Sequence, residues 1–158
     1  MYGLRLSGEA QRERNLIAVK RQSALADMIE TERARYQLPR GMIEAVIDHE
    51  TGGTWDPESY DPEVNSRCYL RARTDAERKA CGSYGLMHTV CSLHWDSAHC
   101  DELTIPKIGL QRGVKMLGES YKKAKGDKFK TFALYNGRGQ KAERYARILM
   151  EKYRTWNS

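Results

Sequence analysis

The chain has 158 residues, 40% of them apolar, which suits one compact domain with one core. No apolar run is long enough for a membrane-spanning helix, so membrane insertion is not expected. The start, "MYGLRLSGEAQRERNLIAVKRQ", has no apolar h-region or small-residue cleavage site and does not read as a secretory signal. The formal charge of +6, with 27 Lys and Arg against 21 acids, favours an anionic partner. No RNA-binding signature or dense basic arm points to nucleic acid, and an anionic wall polymer fits as well.

Residues 9 to 37 read as helix, with Leu16 and Val19, then Leu25, Met28 and Ile29, set among Arg, Lys and Glu. Residues 1 to 22 are polar enough to be a solvated arm, which leaves 23 to 158 as the main domain. Leu38-Pro39-Arg40 breaks the helix. A second helix follows in "GMIEAVIDHETGGTW", where Met42, Val46 and Glu50 fall at i, i+4 and i+8, with Ile43 and Ile47 beside them. Glu50 thus continues the row that faces the core, and Gly52 and Gly53 end the helix just past it.

Residues 51 to 104 look irregular, with a short helix expected in "TDAERKAC". A long irregular segment inside a small domain is usually functional or stapled. It holds all four cysteines, which allow three disulfide pairings. Cys68 with Cys81 and Cys91 with Cys100 would give two short, non-crossing loops. Free thiols and zinc are alternatives, though "CSLHWDSAHC" lacks the paired ligand spacing of common zinc modules. No cofactor or metal is expected.

From Ile105 the chain turns helical again. Pro106 suits a first turn, and Leu110, Val114, Leu117 and Tyr121 make one stripe. Asp127 can cap "KFKTFALYN". After "NGRG" a last helix carries Ala142, Tyr145, Ala146, Leu149, Tyr153 and Trp156 on one face. The fold class expected is mainly α.

Three strings remain, in order: "HETGGTWDP", "GSYGLMH" and "ALYNGRG". Their order and spacing resemble the lysozyme-like domain of the soluble lytic transglycosylases, a family related to goose-type lysozyme. The family's pattern is a helix ending in Glu-Ser, an aromatic-Asn-Pro, a Gly-Leu-Met-Gln turn, and Ala-x-Tyr-Asn-x-Gly. Glu50-Thr51, Trp55-Asp56-Pro57, Gly85-Leu86-Met87-His88 and Ala133-Leu134-Tyr135-Asn136-Gly137 occupy these places, over roughly residues 25 to 155.

The resemblance implies cleavage of the β-1,4 bond between N-acetylmuramic acid and N-acetylglucosamine in peptidoglycan. Glu50 would be the general acid and base, and the product would carry a 1,6-anhydromuramic end. Burial on an apolar helix face would keep that carboxyl protonated near neutral pH. Tyr135 would hydrogen-bond near Glu50 and the reacting sugar. Met87 and the backbone of Gly85, Leu86 and His88 would line the sugar groove, and Thr51, Asp61 and Asn136 would also contribute to substrate binding, with Asn136 shaping the last turn. Trp55 reads as a core anchor.

This chain departs from the pattern at His88, where the family has Gln, at Thr51 for Ser, and at Asp61, where a Ser is usual. A second carboxylate is what an inverting hydrolase needs to activate water. Asp61 or Asp56 therefore keeps a muramidase in play, although both could simply cap turns before Pro57 and Pro62. A non-catalytic wall-binding module is a lesser alternative. A cationic wall enzyme without an export signal suits a bacteriophage product, either an endolysin or a virion protein docked through the arm to tail or ejection proteins. It would be made in the host cytoplasm and act on the wall in the periplasm.

Overall fold

A computed structural model describes residues 7–62 and 66–158. Helix α1 (Gly8–Arg35) opens at Ser7, whose hydroxyl accepts the Ala10 N–H at 3.3 Å, and runs for 28 residues through position 22 without a break. Ala18, Leu25 and Ile29 turn inward. Leu16 and Val19, read above as part of the apolar row, face outward together with Ile17. In the stretch expected to be a solvated arm, Arg14 and Arg21 reach the carbonyls of Gly52 and Thr54, at 3.2 and 3.0 Å. The first half of α1 thus lies against the turn that follows Glu50.

Leu38 is buried where the chain breaks, and its carbonyl accepts from Arg33 at 3.0 Å. Helix α2 (Met42–Glu50) follows Gly41, whose φ of +87° is one that side chains rarely adopt. Met42, Ile43, Ala45, Val46 and Ile47 have no exposed surface, so α2 is the centre of the core. Each of its larger aliphatic side chains contributes about 1.5–3 kcal/mol by leaving water.

Helices α6 (Pro106–Lys123), α7 (Lys128–Asn136) and α8 (Gln140–Trp156) close around α2. Leu110, Val114 and Leu117 of α6 are fully buried, and Tyr121 packs on the same core. Asp127 caps α7 by accepting the Lys130 N–H at 2.9 Å. Ala142, Tyr145, Ala146 and Leu149 of α8 are buried, with Tyr153 and Trp156 packed at the edge. Trp55 is wholly buried, and its indole N–H donates to Asp48 at 3.2 Å.

Between α2 and α6 lie short elements: strand β1 (Tyr60–Asp61), helices α3 (Ser66–Arg71) and α4 (Asp75–Ala80), strands β2 (Ser83–Tyr84) and β3 (Thr89–Val90), helix α5 (Cys91–His94) and a 3-10 turn (Cys100–Thr104). Helix α4 is the one expected in "TDAERKAC"; Thr74 caps it by accepting the Glu77 N–H at 3.1 Å. The strands form one antiparallel sheet in the order β1-β2-β3, with Tyr60 opposite Tyr84 and Ser83 opposite Val90. Disulfides join Cys68 to Cys81 and Cys91 to Cys100, the short-loop pairing. No cysteine is left as a free thiol or zinc ligand.

The small sheet is seated on α6 at one tight point. A Cβ placed on either Gly85 or Gly109 would strike the carbonyl oxygen of Leu103. Only glycine permits that approach. The molecule is mainly α, with its irregular third held by two bridges and this contact. Among the described residues no helix is long and apolar enough to cross a membrane.

Candidate active site

Glu50 is the last residue of α2. The N–H of Gly53 returns to the carbonyl of Asp48 at 2.8 Å, and Gly52 and Gly53 take φ values of +59° and +80°. The chain therefore leaves the helix sharply, and the carboxyl of Glu50 opens into a cleft of about 430 Å³. The helical side of that cleft comes from α2, α6, α7 and α8. The facing side comes from β1, the turn before β3, and α5.

The carboxyl has two close neighbours. Tyr145 of α8 donates its hydroxyl to Oε1 at 2.7 Å. Nδ1 of His88 lies 3.4 Å from Oε2. Burial disfavours the carboxylate and pushes Glu50 up to about 7; the Tyr145 hydrogen bond pulls it down, and the negative charge of Asp61 adds to the rise. Burial is the largest cause of the rise. His88 is shifted the other way, below the usual imidazole value, because burial penalises the imidazolium. Asp61 opposes that shift and His49 adds to it. Tyr135 and Tyr145 are held well above the phenol range by burial, so both remain hydroxyl donors.

Glu50, Asp61, His88, Tyr135 and Asn136 all line the cleft. Others are placed differently. Thr51 is buried; its hydroxyl donates to the carbonyl of Ile47 at 2.7 Å and accepts the Trp55 N–H at 3.0 Å. It fastens the helix end instead of meeting a substrate. Gly85, Leu86 and Met87 are also buried, and the Met87 side chain lies where α6 has Gly113, at a spot where a Cβ would come within 2.5 Å of it. Met87 therefore does not line the groove. Its carbonyl instead accepts the Tyr135 hydroxyl at 2.6 Å. The hydrogen bond to Glu50 looked for near Tyr135 is made by Tyr145.

Asp56 accepts the Glu58 N–H at 3.0 Å and lies 4.0 Å from Arg21. It is the turn cap, and Asp61 is the second carboxylate of the cleft. Tyr145 is the partner of Glu50 that sequence reasoning missed. It sits in the buried row of α8, and a buried tyrosine hydroxyl needs a partner. The periodicity carries that signal, but not the partner's identity. A groove of about 360 Å³ between α1 and α6 is lined by Glu32 and Arg35, whose 3.5 Å ion pair neutralises its one buried acid.

Comparison of the chain with family models, with curated proteins and with solved structures finds no significant match. The reading of the site therefore stands on its chemistry. That chemistry is a carboxyl raised to about 7, two phenols held well above their usual range, an imidazole shifted towards its neutral form and a second acid, Asp61, all lining one cleft. Such a set can protonate a poor oxygen leaving group and later accept a proton back.

Proposed function

We propose that the chain is a peptidoglycan-cleaving enzyme of lysozyme-like fold, acting as a lytic transglycosylase on the bond between N-acetylmuramic acid and N-acetylglucosamine. The observation that carries this is Glu50: a largely buried carboxyl at a helix end, raised to about 7, opening on a cleft. Glu50 gives its proton to the glycosidic oxygen as the bond to C1 breaks. The C6 hydroxyl of the same muramic sugar then attacks C1 and returns its proton to the carboxylate. No water is consumed and no covalent enzyme intermediate forms, so one carboxyl suffices. The C6 hydroxyl is held close to C1 throughout, which favours the intramolecular route.

A second reading is a muramidase that hydrolyses the same bond. It has one specific support: Asp61 lines the same cleft, and its charge acts on Glu50. In that case Asp61 would direct a water. Mass spectrometry of digested peptidoglycan separates the two. Anhydro fragments lighter by one water are expected. Reducing-end products alone, with activity lost in Asp61→Asn, would make the enzyme a muramidase. A wall-binding module without catalysis would bind and release no fragments. A bacteriophage setting, as endolysin or virion component, belongs to the same proposal; infection assays with the Glu50→Gln gene test it.

A further inference from the structure

His88 sits in a backbone conformation that few residues tolerate, with φ +47°, between two polar partners. Its Nε2 is 2.7 Å from the hydroxyl of Ser59, and its Nδ1 is 3.4 Å from Glu50. The imidazole is largely buried, and burial keeps it neutral. A neutral imidazole has one N–H, so one of these contacts receives a proton donor and the other a lone pair. Which one decides what Glu50 meets as it ionises.

We propose that Ser59 is a positioning residue: its hydroxyl donates to Nε2 of His88 and so fixes the tautomer whose Nδ1–H faces the carboxyl of Glu50. This rests on the reading of Glu50 as the general acid. Two geometric facts favour this tautomer. Among the described residues, the Ser59 hydroxyl has no other hydrogen bond, so donation to Nε2 is the arrangement that uses its proton. The 3.4 Å contact is also too long for a carboxylic O–H held on a nitrogen. It suits an N–H facing a neutral carboxyl, which is a poor acceptor until it carries charge.

That difference between states is what makes the contact useful. When Glu50 protonates the leaving oxygen, Oε2 gains negative charge and the Nδ1–H contact tightens into a hydrogen bond; the imidazole proton stays on Nδ1. When the C6 hydroxyl returns its proton, the contact relaxes. An interaction stronger in the transition state than in the resting enzyme lowers the barrier. The other titratable groups lining the cleft are His49 from α2, Asp61 from β1, His94 from α5, Tyr135 from α7, and Lys141 and Tyr145 from α8. Tyr145 already donates to the other oxygen, Oε1, so the Nδ1–H completes the pair of donors on the carboxylate. Ser59 itself does not line the cleft.

The direct test is nitrogen NMR of isotope-labelled histidine in the whole protein at neutral pH. For His88, a protonated Nδ1 and an unprotonated Nε2 are expected; the reverse overturns the proposal. The kinetic test is Ser59→Ala. With its anchor gone, His88 can turn its lone pair towards Glu50 and stabilise the acid form. We expect kcat to fall roughly tenfold, the loss of about one hydrogen bond, with KM nearly unchanged. The alkaline limb of the pH–rate profile should move to higher pH. Ser59→Thr should restore both, and Ser59→Ala should cost nothing further in a His88→Gln background, where an amide donor has no tautomer to choose. An unmoved profile, or the same loss in both backgrounds, would mean that Ser59 is only structural. If the general-acid reading itself is wrong, Glu50→Gln stays active whatever the tautomer of His88.

Discussion

The two walls of the cleft are built on different principles. The helical wall, α2 with α6, α7 and α8, is held by apolar stripes whose members have little or no exposed surface. The facing wall, residues 51 to 105, has strands of two residues and helices of at most six. Two disulfides and a glycine contact hold it. The walls also differ in charge. Residues 106–158 carry 14 of the 27 Lys and Arg but only 4 of the 21 Asp and Glu, so the chain's positive surplus belongs to α6, α7 and α8. The lesson is a division of labour. The packed wall sets the acid's protonation by burial, which needs a rigid core. The stapled wall supplies the polar groups Asp61 and His88, which a core could not hold without partners.

The sharpest way to break this comparison is Glu50→Gln. It keeps size and hydrogen bonding but removes the proton, and general acid catalysis is worth about 100- to 10,000-fold. A purified, folded variant that clears walls at more than a tenth of the normal rate would overturn the assignment. The same substitution probes the core's part. Glu50 is held at about 7 against an ordinary 4.5. Between those pH values the unfolded chain has released a proton that the folded one keeps. Stability therefore falls as pH rises through this window, by up to about 3 kcal/mol. At pH 8 the inactive Glu50→Gln protein should melt higher than the parent, and at pH 4 the gain should vanish.

The stapled wall is tested by reduction. On the chain-entropy account each bridge contributes about 3 kcal/mol. Removing both should lower the urea midpoint and abolish activity, while the far-ultraviolet helical signal survives at low denaturant. The native mass should lie two hydrogens per bridge below that of the reduced chain. Four alkylatable thiols in the native protein would remove the staples from the account.

Two smaller effects sharpen the picture. Tyr145→Phe removes the hydrogen bond that favours the Glu50 carboxylate. The acid should then rise further, moving the alkaline limb of the pH–rate profile upward, with a rate loss of roughly tenfold. An unchanged limb would mean that Tyr145 is a packing residue. Arg21→Ala should cost least, about 0.5–1 kcal/mol in thermal unfolding, since its carbonyl contact to Thr54 is half exposed. A larger loss, or a fall in turnover, would show that α1 supports the acid's turn.

The helical wall is legible in the sequence because periodicity reports burial. Spacing alone puts Met42, Val46 and Glu50 on one helix face, and it does the same for Ala142, Tyr145 and Leu149. At the N-terminus the same rule misleads, because Leu16 and Val19 are apolar but stay exposed, and small Ala18 takes the inward position. On the stapled wall the motifs bring Asp61 and His88 to the cleft but say nothing of side-chain direction. Met87 turns into the core because Gly113 leaves room for it, a fact of three-dimensional fit that no local pattern carries. Ser59 and Tyr145 become visible only as partners across 29 and 95 residues of sequence.

The contact of Gly85 and Gly109 around the Leu103 carbonyl has an evolutionary consequence. A side chain at either glycine would push the sheet away from α6, carrying Asp61 and His88 away from Glu50. Neither position can drift alone, because both would strike the same backbone oxygen of a residue whose own side chain is buried. Distant relatives that keep this cleft should therefore share the glycine pair, 24 residues apart, even where cleft residues such as His88 have been exchanged. A search pattern built on Glu50 and those two glycines would find kin that overall similarity passes over, and sequences with the acid but without the pair should prove to hold their second wall by other means.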